Sequence, residues 1–169
     1  MKRISKENYY LDIAETVLER ATCLRRVYGA IIVQHDEIIS TGYNGAPRGR
    51  KNCTDMGFCT REAMQVPRGE RYELCRSVHA EANAIISAAR RDMVGGTLYL
   101  VGRDAATGQL LHDATSCSMC RRLIINAGLE RVVLRRTETE FETVPVSDWV
   151  ELEDDVYRPA EPCSCGCEK

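Results

Sequence analysis

The chain has 169 residues, of which 44% are hydrophobic and 28% are charged, and its formal net charge at pH 7 is −2. This length suits one domain with a substantial hydrophobic core and is too short for two domains that each have such a core. The slightly acidic balance argues against a protein that holds nucleic acid by bulk electrostatics, because such proteins normally carry a basic excess. A small ligand, or an oligomer with local basic pockets, fits better.

The first seven residues lead into an amphipathic stretch without the apolar centre of a signal peptide. No run of residues approaches the length of a membrane-spanning helix, so we expect a cytoplasmic protein without a membrane partner. The nine cysteines then need an explanation other than disulfides. In a reducing compartment, clustered cysteines more often bind a metal or take part in catalysis.

The N-terminal half begins with apolar residues at helical spacing, which predict an amphipathic helix over residues 6–25 that is closed by Gly29. Two short β-branched runs, 30–33 and 38–41, flank a polar turn and predict a hairpin. A loop rich in glycine and proline follows, and the sequence is irregular from there to residue 76.

The middle of the chain alternates between helical and extended patterns. An alanine-rich stretch predicts a helix over residues 80–91, and a pair of glycines separates it from a predicted strand at 97–101. A second helix is predicted from Cys117 to Gly128, and a further strand at 131–134. Helices that follow strands indicate an α/β fold, which we expect to be a three-layer α/β/α domain around a mixed five-stranded sheet.

The last predicted strand, 141–146, alternates in polarity and contains Pro145, which is typical of an edge strand. Only a few polar residues separate it from the preceding strand, whereas a parallel crossover needs about a dozen or more, so we expect an antiparallel pair. Residues 1–150 then form the predicted domain, and residues 151–169 form an acidic tail. The tail has a C-x-C-x-C pattern that could bind adventitious metal, cap a partner or do nothing, at Cys163, Cys165 and Cys167.

A histidine and a later C-x-x-C supply the residue types of a zinc site, at His79, Cys117 and Cys120. A catalytic zinc takes three protein ligands and leaves a fourth position to water. All three residues fall at the starts of predicted helices, where the helix dipole and free N–H groups stabilise a thiolate. The alternatives are a closed structural zinc site, although no fourth ligand lies near this set in the sequence, and a chance C-x-x-C.

Glu81 follows His79 by two residues and is the candidate general acid/base. Zinc acidifies a bound water, and a carboxylate beside it can take the proton and pass it on without ligating the metal. An H-x-E followed by C-x-x-C is the signature of zinc-dependent nucleobase deaminases. The pattern therefore predicts hydrolytic deamination, with Glu81 moving protons to the ring nitrogen and to the departing ammonia.

Three longer sequence words carry a closer resemblance. They are G-A-I-I-V at 29–33, I-S-T-G-Y-N-G-A-P-R-G at 39–49 and C-R-S-V-H-A-E-A-N-A-I at 75–85. With the helix at Cys117, these words resemble the cytidine deaminase superfamily over about residues 5–135, and within it the deoxycytidylate (dCMP) deaminases. The resemblance implies a catalytic zinc and the conversion of dCMP to dUMP and ammonia.

The same resemblance implies substrate contacts. Asn44 would hydrogen-bond the sugar or base, Ala80 would lie against the substrate, and Arg90 would help to hold a phosphate. For Arg90 the alternative is an exposed helix charge, and Arg48 and Arg50 are the alternative phosphate contacts. Family membership also implies a homo-oligomer, with dCTP and dTTP as effectors.

Three features depart from the dCMP deaminases. The usual proline before the C-x-x-C is replaced by Ser116, and the loop 102–116 beside the zinc is longer than expected. The antiparallel last strand resembles the free-nucleoside branch of the superfamily. These features leave open another pyrimidine nucleotide, a nucleoside or an RNA base as substrate, and also a zinc-stabilised binding module without catalysis.

Four further cysteines precede the catalytic motif: Cys23, Cys53, Cys59 and Cys75. Brought together, four thiols would make a closed structural zinc site and would order the irregular segment. The resemblance supports this reading, because some dCMP deaminases carry a second zinc at similar positions. Four separate buried thiols are the alternative, and His35 or His112 could replace one ligand.

Overall fold

A five-stranded mixed sheet lies at the centre of the computed structural model, which describes residues 3–67 and 69–152. The strands are β1 (Arg26–Gln34), β2 (Glu37–Tyr43), β3 (Thr97–Asp104), β4 (Arg131–Arg135) and β5 (Phe141–Pro145). They lie in the order β2-β1-β3-β4-β5. Strands β3 and β4 run parallel, and the other neighbouring pairs are antiparallel. The predicted mixed sheet is confirmed.

Seven α-helices of the described residues accompany the sheet. They are α1 (Lys6–Leu18), α2 (Cys53–Met56), α3 (Thr60–Ala63), α4 (Ala80–Ile86), α5 (Arg90–Met93), α6 (Ser118–Ala127) and α7 (Val146–Glu151). A 3₁₀ turn at Tyr72–Leu74 follows α3 in the segment that was irregular by sequence. No helix among the described residues combines the length and apolar character needed to cross a bilayer.

The buried side chains of the central strands alternate between two cores. In β1, Ala30 and Ile32 belong to the core shared with α4 and α6, whereas Ile31 and Val33 belong to the core shared with α1. Successive side chains of a strand point to opposite faces, so a strand buried on both sides reads as a continuous apolar run. The helices therefore cover both faces, and the predicted three-layer α/β/α arrangement is confirmed.

The predicted end of the first helix is wrong. Helix α1 ends at Leu18, and Gly29 lies inside β1 rather than at the helix terminus. A Cβ at Gly29 would lie 2.0 Å from the Ala14 carbonyl oxygen and 2.6 Å from the Leu18 nitrogen. The glycine is required because the backbone of β1 lies directly against α1, which the helical pattern alone did not indicate.

The predicted helix at 80–91 is broken in the structure, with α4 ending at Ile86 and α5 beginning at Arg90. The Ser87 hydroxyl donates to the Asn83 carbonyl oxygen at 2.7 Å, a local bond that competes with continued helix. Alanine content favoured one helix, but a serine at the last turn ends it.

The predicted antiparallel last strand is confirmed by the register, in which Arg131 pairs with Pro145 and Arg135 pairs with Phe141. The strand continues directly into α7, which the sequence pattern did not predict. The predicted boundary at residue 150 stays a prediction. The tail cysteines Cys163, Cys165 and Cys167 lie outside the described residues.

Gly42 brings α4 against the sheet. A Cβ at this position in β2 would lie 2.3 Å from the Ala80 carbonyl oxygen and 2.3 Å from the Ala84 nitrogen. Both of these atoms belong to the backbone of α4, so they cannot swing aside as a flexible side chain would. The close approach fixes where the N-terminus of α4 lies relative to the sheet.

Replacing Gly42 with alanine is expected to lower the free energy of unfolding by about 1–3 kcal/mol, because the added methyl group overpacks a backbone contact. Urea denaturation followed by circular dichroism measures the change. Thr41→Ala is the matched control, since Thr41 is exposed on the same strand. Equal effects of the two substitutions would contradict the close-packing explanation.

Candidate active site

Helices α4 and α6 pack against each other, and each is preceded by a candidate zinc ligand. His79 is the N-cap residue of α4, and Cys117 is the N-cap residue of α6. The Nδ1 atom of His79 lies 3.5 Å from the Cys117 sulfur and 3.4 Å from the Cys120 sulfur. Ordinary Zn–N and Zn–S bonds in a tetrahedron place nitrogen and sulfur ligands about 3.5 Å apart. The donor set and its spacing therefore fit one zinc ion.

The three ligands also have unequal proton affinities. Hydrogen bonding from Cys120 lowers the pKa of Cys117 to about 4, although burial opposes the change. The same bond, together with burial, raises the pKa of Cys120. Burial would lower the pKa of His79, but hydrogen bonds with the Cys117 and Cys75 thiols outweigh it and raise that pKa to about 10. In the absence of metal, Cys117 would carry negative charge, while Cys120 and His79 would retain their protons.

Glu81 lies in the first turn of α4 and is 4% exposed. Burial raises its pKa, although the nearby His79 ring and Ser116 hydroxyl act in the opposite direction. A carboxyl group with a raised pKa exchanges protons more readily near neutral pH than an exposed one. The position and environment of Glu81 therefore suit a general acid/base beside the metal ligands.

Ser116 directly precedes Cys117, at the position where the resemblance to the deaminases leads us to expect proline. It is 1% exposed, and its hydroxyl interacts with the Glu81 carboxyl group. Its carbonyl oxygen accepts a 2.9 Å hydrogen bond from Nε of Arg121. The substitution therefore places a buried hydroxyl, in place of a proline ring, close to Glu81.

The glycine-rich loop after β2 holds the approach to His79. Gly45 and Val78 exchange two backbone hydrogen bonds of 3.1 and 2.8 Å. The Asn83 side chain donates to the Tyr43 carbonyl oxygen at 2.8 Å, and the Ser40 hydroxyl donates to that of Ala84 at 2.8 Å. This part of the sequence word at 39–49 positions α4.

Arg136 holds the long loop before Cys117 through hydrogen bonds to its backbone. Its Nη1 atom donates to the carbonyl oxygens of His112 and Ala114, each at 2.7 Å. Its Nη2 atom forms a 2.6 Å ion pair with Glu142 of β5. The antiparallel strand thus supports the loop that leads into the cysteine motif.

A cleft opens beside the zinc ligands. Its lining includes the metal ligands His79 and Cys117 together with Glu81. The other side chains that line it are Tyr28, Tyr72, Thr115, three arginines (Arg25, Arg26 and Arg61) and three cysteines (Cys23, Cys59 and Cys75). Among the described lining residues, Glu81 is the sole carboxylate. The cleft therefore combines one carboxyl group with three arginines, which suits a ligand that carries an anionic group.

The four predicted substrate contacts do not line this cleft in the described part of the chain. Asn44 is buried, and its amide bridges the Tyr28 N–H and the Arg26 carbonyl oxygen at 2.8 Å each. Arg90 donates to the Asn126 carbonyl oxygen at 2.8 Å, near the C-terminus of α6 and away from Cys117. Ala80 lies between His79 and Glu81 and is buried, and Arg48 is exposed.

The four cysteines predicted to hold a second zinc lie in one region, but no three of their sulfurs come within 4.8 Å of one another among the described residues. Burial raises the pKa of Cys53, and the neighbouring thiols of Cys23, Cys75 and Cys59 raise it further. The alternative ligands His35 and His112 lie elsewhere, in the β1–β2 turn and in the loop held by Arg136. The second zinc site stays a prediction.

Comparison with known proteins decides the family. The model of the cytidine and deoxycytidylate deaminase zinc-binding region matches residues 4–136. The chain belongs to this deaminase family. A deoxycytidylate deaminase of Mycobacterium phage D29 is 36% identical to this deaminase over 138 residues, which cover 79% of this chain and 96% of the phage protein. The Schizosaccharomyces pombe deoxycytidylate deaminase is 33% identical over 131 residues, which cover 78% of this chain but 37% of the yeast protein.

A solved structure is similar to this deaminase in fold. The apo dCMP deaminase of cyanophage S-TIM5 matches with a TM-score of 0.53 and 25% identity, over 76% of this chain and 81% of that one. The zinc-binding family and the α/β architecture expected from the sequence are therefore confirmed.

Several cleft residues of this deaminase were missed by sequence reasoning. Arg26 and Tyr28 both line the cleft from the first residues of β1, and their spacing of two residues was the available signal. Arg61 and Tyr72 belong to the irregular segment between β2 and α4, where no periodic pattern marks which side chains turn inward.

Zinc binding to this deaminase is expected to release about two protons per ion at pH 7, because the raised pKa values of His79 and Cys120 keep both groups protonated without metal. Affinity for zinc should therefore fall as the pH is lowered. Isothermal titration calorimetry in buffers of different ionisation enthalpy measures the proton count. Release of no protons would contradict the proposed charge distribution.

Proposed function

We propose that this deaminase hydrolyses dCMP to dUMP and ammonia. The observation that carries the proposal is the grouping of His79, Cys117 and Cys120 at zinc-ligand spacing, with the buried Glu81 against the same cleft. The phage and yeast relatives are both deoxycytidylate deaminases, which supports this choice of substrate.

The chemistry is divided between a metal and a carboxyl group. When bound by the three ligands, zinc polarises a water molecule and lowers its pKa. Glu81 takes one proton from the attacking water and gives it to the ring nitrogen as the C–O bond forms. It then takes the remaining proton from the added hydroxyl and delivers it to the amino group, which leaves as ammonia as the carbonyl forms. The raised pKa of Glu81 suits it to both accepting and donating.

The alternative substrate is another pyrimidine nucleotide, a free nucleoside or an RNA base. The antiparallel β5 favours this alternative, because it resembles the free-nucleoside branch. Against RNA stands the net charge of −2, since RNA-binding enzymes usually present a basic surface. Ammonia release from dCMP, CMP and deoxycytidine by the zinc-loaded protein tests the choice directly.

The substrate contacts are part of the proposal. Asn44 retains one amide N–H beyond the bonds to β1, which supports a contact with sugar or base. Ala80 is proposed for its place between His79 and Glu81, and Arg48 for its exposed cationic side chain. Arg90 has the weakest support, because its guanidinium is bonded to the Asn126 carbonyl oxygen.

The assembly and location of the enzyme are proposed as well. Family resemblance supports a homo-oligomer with dCTP and dTTP as effectors. The six cysteines of the described residues are all free thiols, which supports a reducing compartment such as the cytoplasm.

Glu81→Gln is expected to lower kcat by at least about 100-fold, since a positioned general acid/base contributes on this scale. Zinc content should be unchanged, because Glu81 is not among the metal ligands. Ammonia release and metal analysis on the same preparation measure both effects. Glu37→Gln, at an exposed position of β2, is the control. Turnover near the wild-type rate would rule out the proposed role.

The second zinc leads to a stoichiometric prediction. Metal analysis should find two zinc ions per chain, with one lost in Cys53→Ser and the other lost in Cys117→Ser, because the two sites share no ligand. A chain with serine at all three tail cysteines serves as the control for adventitious binding at Cys163, Cys165 and Cys167. A single zinc per wild-type chain would contradict the four-cysteine site.

A further inference from the structure

Arg61 is the most deeply buried charged side chain of the cleft after Glu81. It is 7% exposed, although the residues that follow it in α3 and the next turn are exposed. No described residue forms an ion pair with it, whereas the neighbouring Arg25 is paired with Glu62 at 2.9 Å. Burying a guanidinium without an anionic partner is costly, so the position calls for a physical explanation.

The partners of Arg61 leave part of its hydrogen-bonding capacity unused. Its Nη2 atom donates to the carbonyl oxygen of Pro67 at 3.0 Å and to that of Glu70. Its Nε atom is buried and has no hydrogen-bond acceptor among the described residues. A guanidinium has five N–H donors in a planar fork that matches the oxygens of a carboxylate or phosphate. Arg61 is therefore held in place and only partly satisfied.

Tyr72 connects Arg61 to the zinc ligands. The guanidinium carbon of Arg61 lies 4.6 Å from the centre of the Tyr72 ring, in a cation–π contact. The Tyr72 ring also makes an edge-to-face contact with the His79 ring. The two ring centres lie 5.1 Å apart, and the angle between the ring planes is 88°. A single aromatic ring thus lies between the cation and the metal-ligating imidazole.

We propose that Arg61, with Arg26 beside it, forms the subsite for the 5′-phosphate of the substrate nucleotide. The inference rests on the proposed function and deepens it, because it identifies the group that selects a nucleotide over a nucleoside. Arg26 lines the same cleft on β1, and Arg25 is less available because of Glu62. A phosphate at this end supplies the anionic partner that Arg61 lacks and leaves the base against Glu81 and the zinc ligands.

The test compares dCMP with deoxycytidine for wild type and Arg61→Gln. Loss of a charge-assisted hydrogen bond to phosphate should lower kcat/KM for dCMP by about 10- to 100-fold, mainly through KM. The kcat/KM for deoxycytidine should change little, because that substrate lacks the phosphate. Arg91→Gln is the matched control, since Arg91 is exposed on α5.

A binding measurement separates the phosphate subsite from a purely structural role. Inorganic phosphate should compete with dCMP for the zinc-loaded Glu81→Gln protein and should compete much less after Arg61→Gln is added. An equal loss of kcat/KM for dCMP and deoxycytidine would mean that Arg61 only holds the loop at Pro67 and Glu70. An unchanged dCMP preference would also overturn the proposal.

A second variant keeps the test decisive if Arg61→Gln unfolds. Arg61→Lys retains the charge but loses the planar fork, so dCMP should show a smaller rise in KM at an unchanged melting temperature. Failure of the proposed function has a different outcome, in which the zinc-loaded wild type releases ammonia from neither dCMP nor deoxycytidine. Wild-type turnover with no effect of either Arg61 variant would count against the phosphate subsite alone.

Discussion

The backbone contact between β2 and α4 is the constraint on which the site depends. Gly42 lets α4 lie against the sheet, and α4 carries His79 at its N-terminus and Glu81 in its first turn. Helix α6 packs on α4 and brings Cys117 and Cys120 to the same nitrogen of His79. The ligands come from two helix ends rather than from flexible loops, and their geometry is therefore set by packing before any ion binds.

Arrangement at helix N-termini also has an electrostatic consequence. Free N–H groups and the helix dipole favour negative charge at Cys117, and the hydrogen bond from Cys120 adds to that effect. Glu81 responds to the opposite influence, since its burial disfavours the charged carboxylate. The surroundings therefore lower the pKa of the Cys117 thiol and raise the pKa of the Glu81 carboxyl group. Acidic groups with pKa values shifted in opposite directions within one site are typical of acid/base catalysis.

Sequence reasoning predicted the parts of this molecule that depend on local pattern. The β-branched run in β1 predicted a strand, and the C-x-x-C at Cys117 predicted metal ligands at the start of a helix. The short connection before β5 required an antiparallel strand. Long-range contacts were not predictable in this way. The close approach of Gly29 to α1 and the inward turn of Arg61 depend on residues far apart in the chain.

Arg121 links the end of the described chain to the metal ligands. It lies directly after Cys120, donates to the Ser116 carbonyl oxygen, and its guanidinium carbon lies 5.0 Å from the Trp149 ring centre in α7. The antiparallel return of β5 is what delivers this tryptophan to the cysteine-bearing helix. The C-terminal helix is thus part of the scaffold of the metal site. A truncation before residue 146 would remove Trp149 and its contact with Arg121, which supports the loop before Cys117. Replacing α7 with the corresponding segment of a relative would therefore also change the support of the metal ligands.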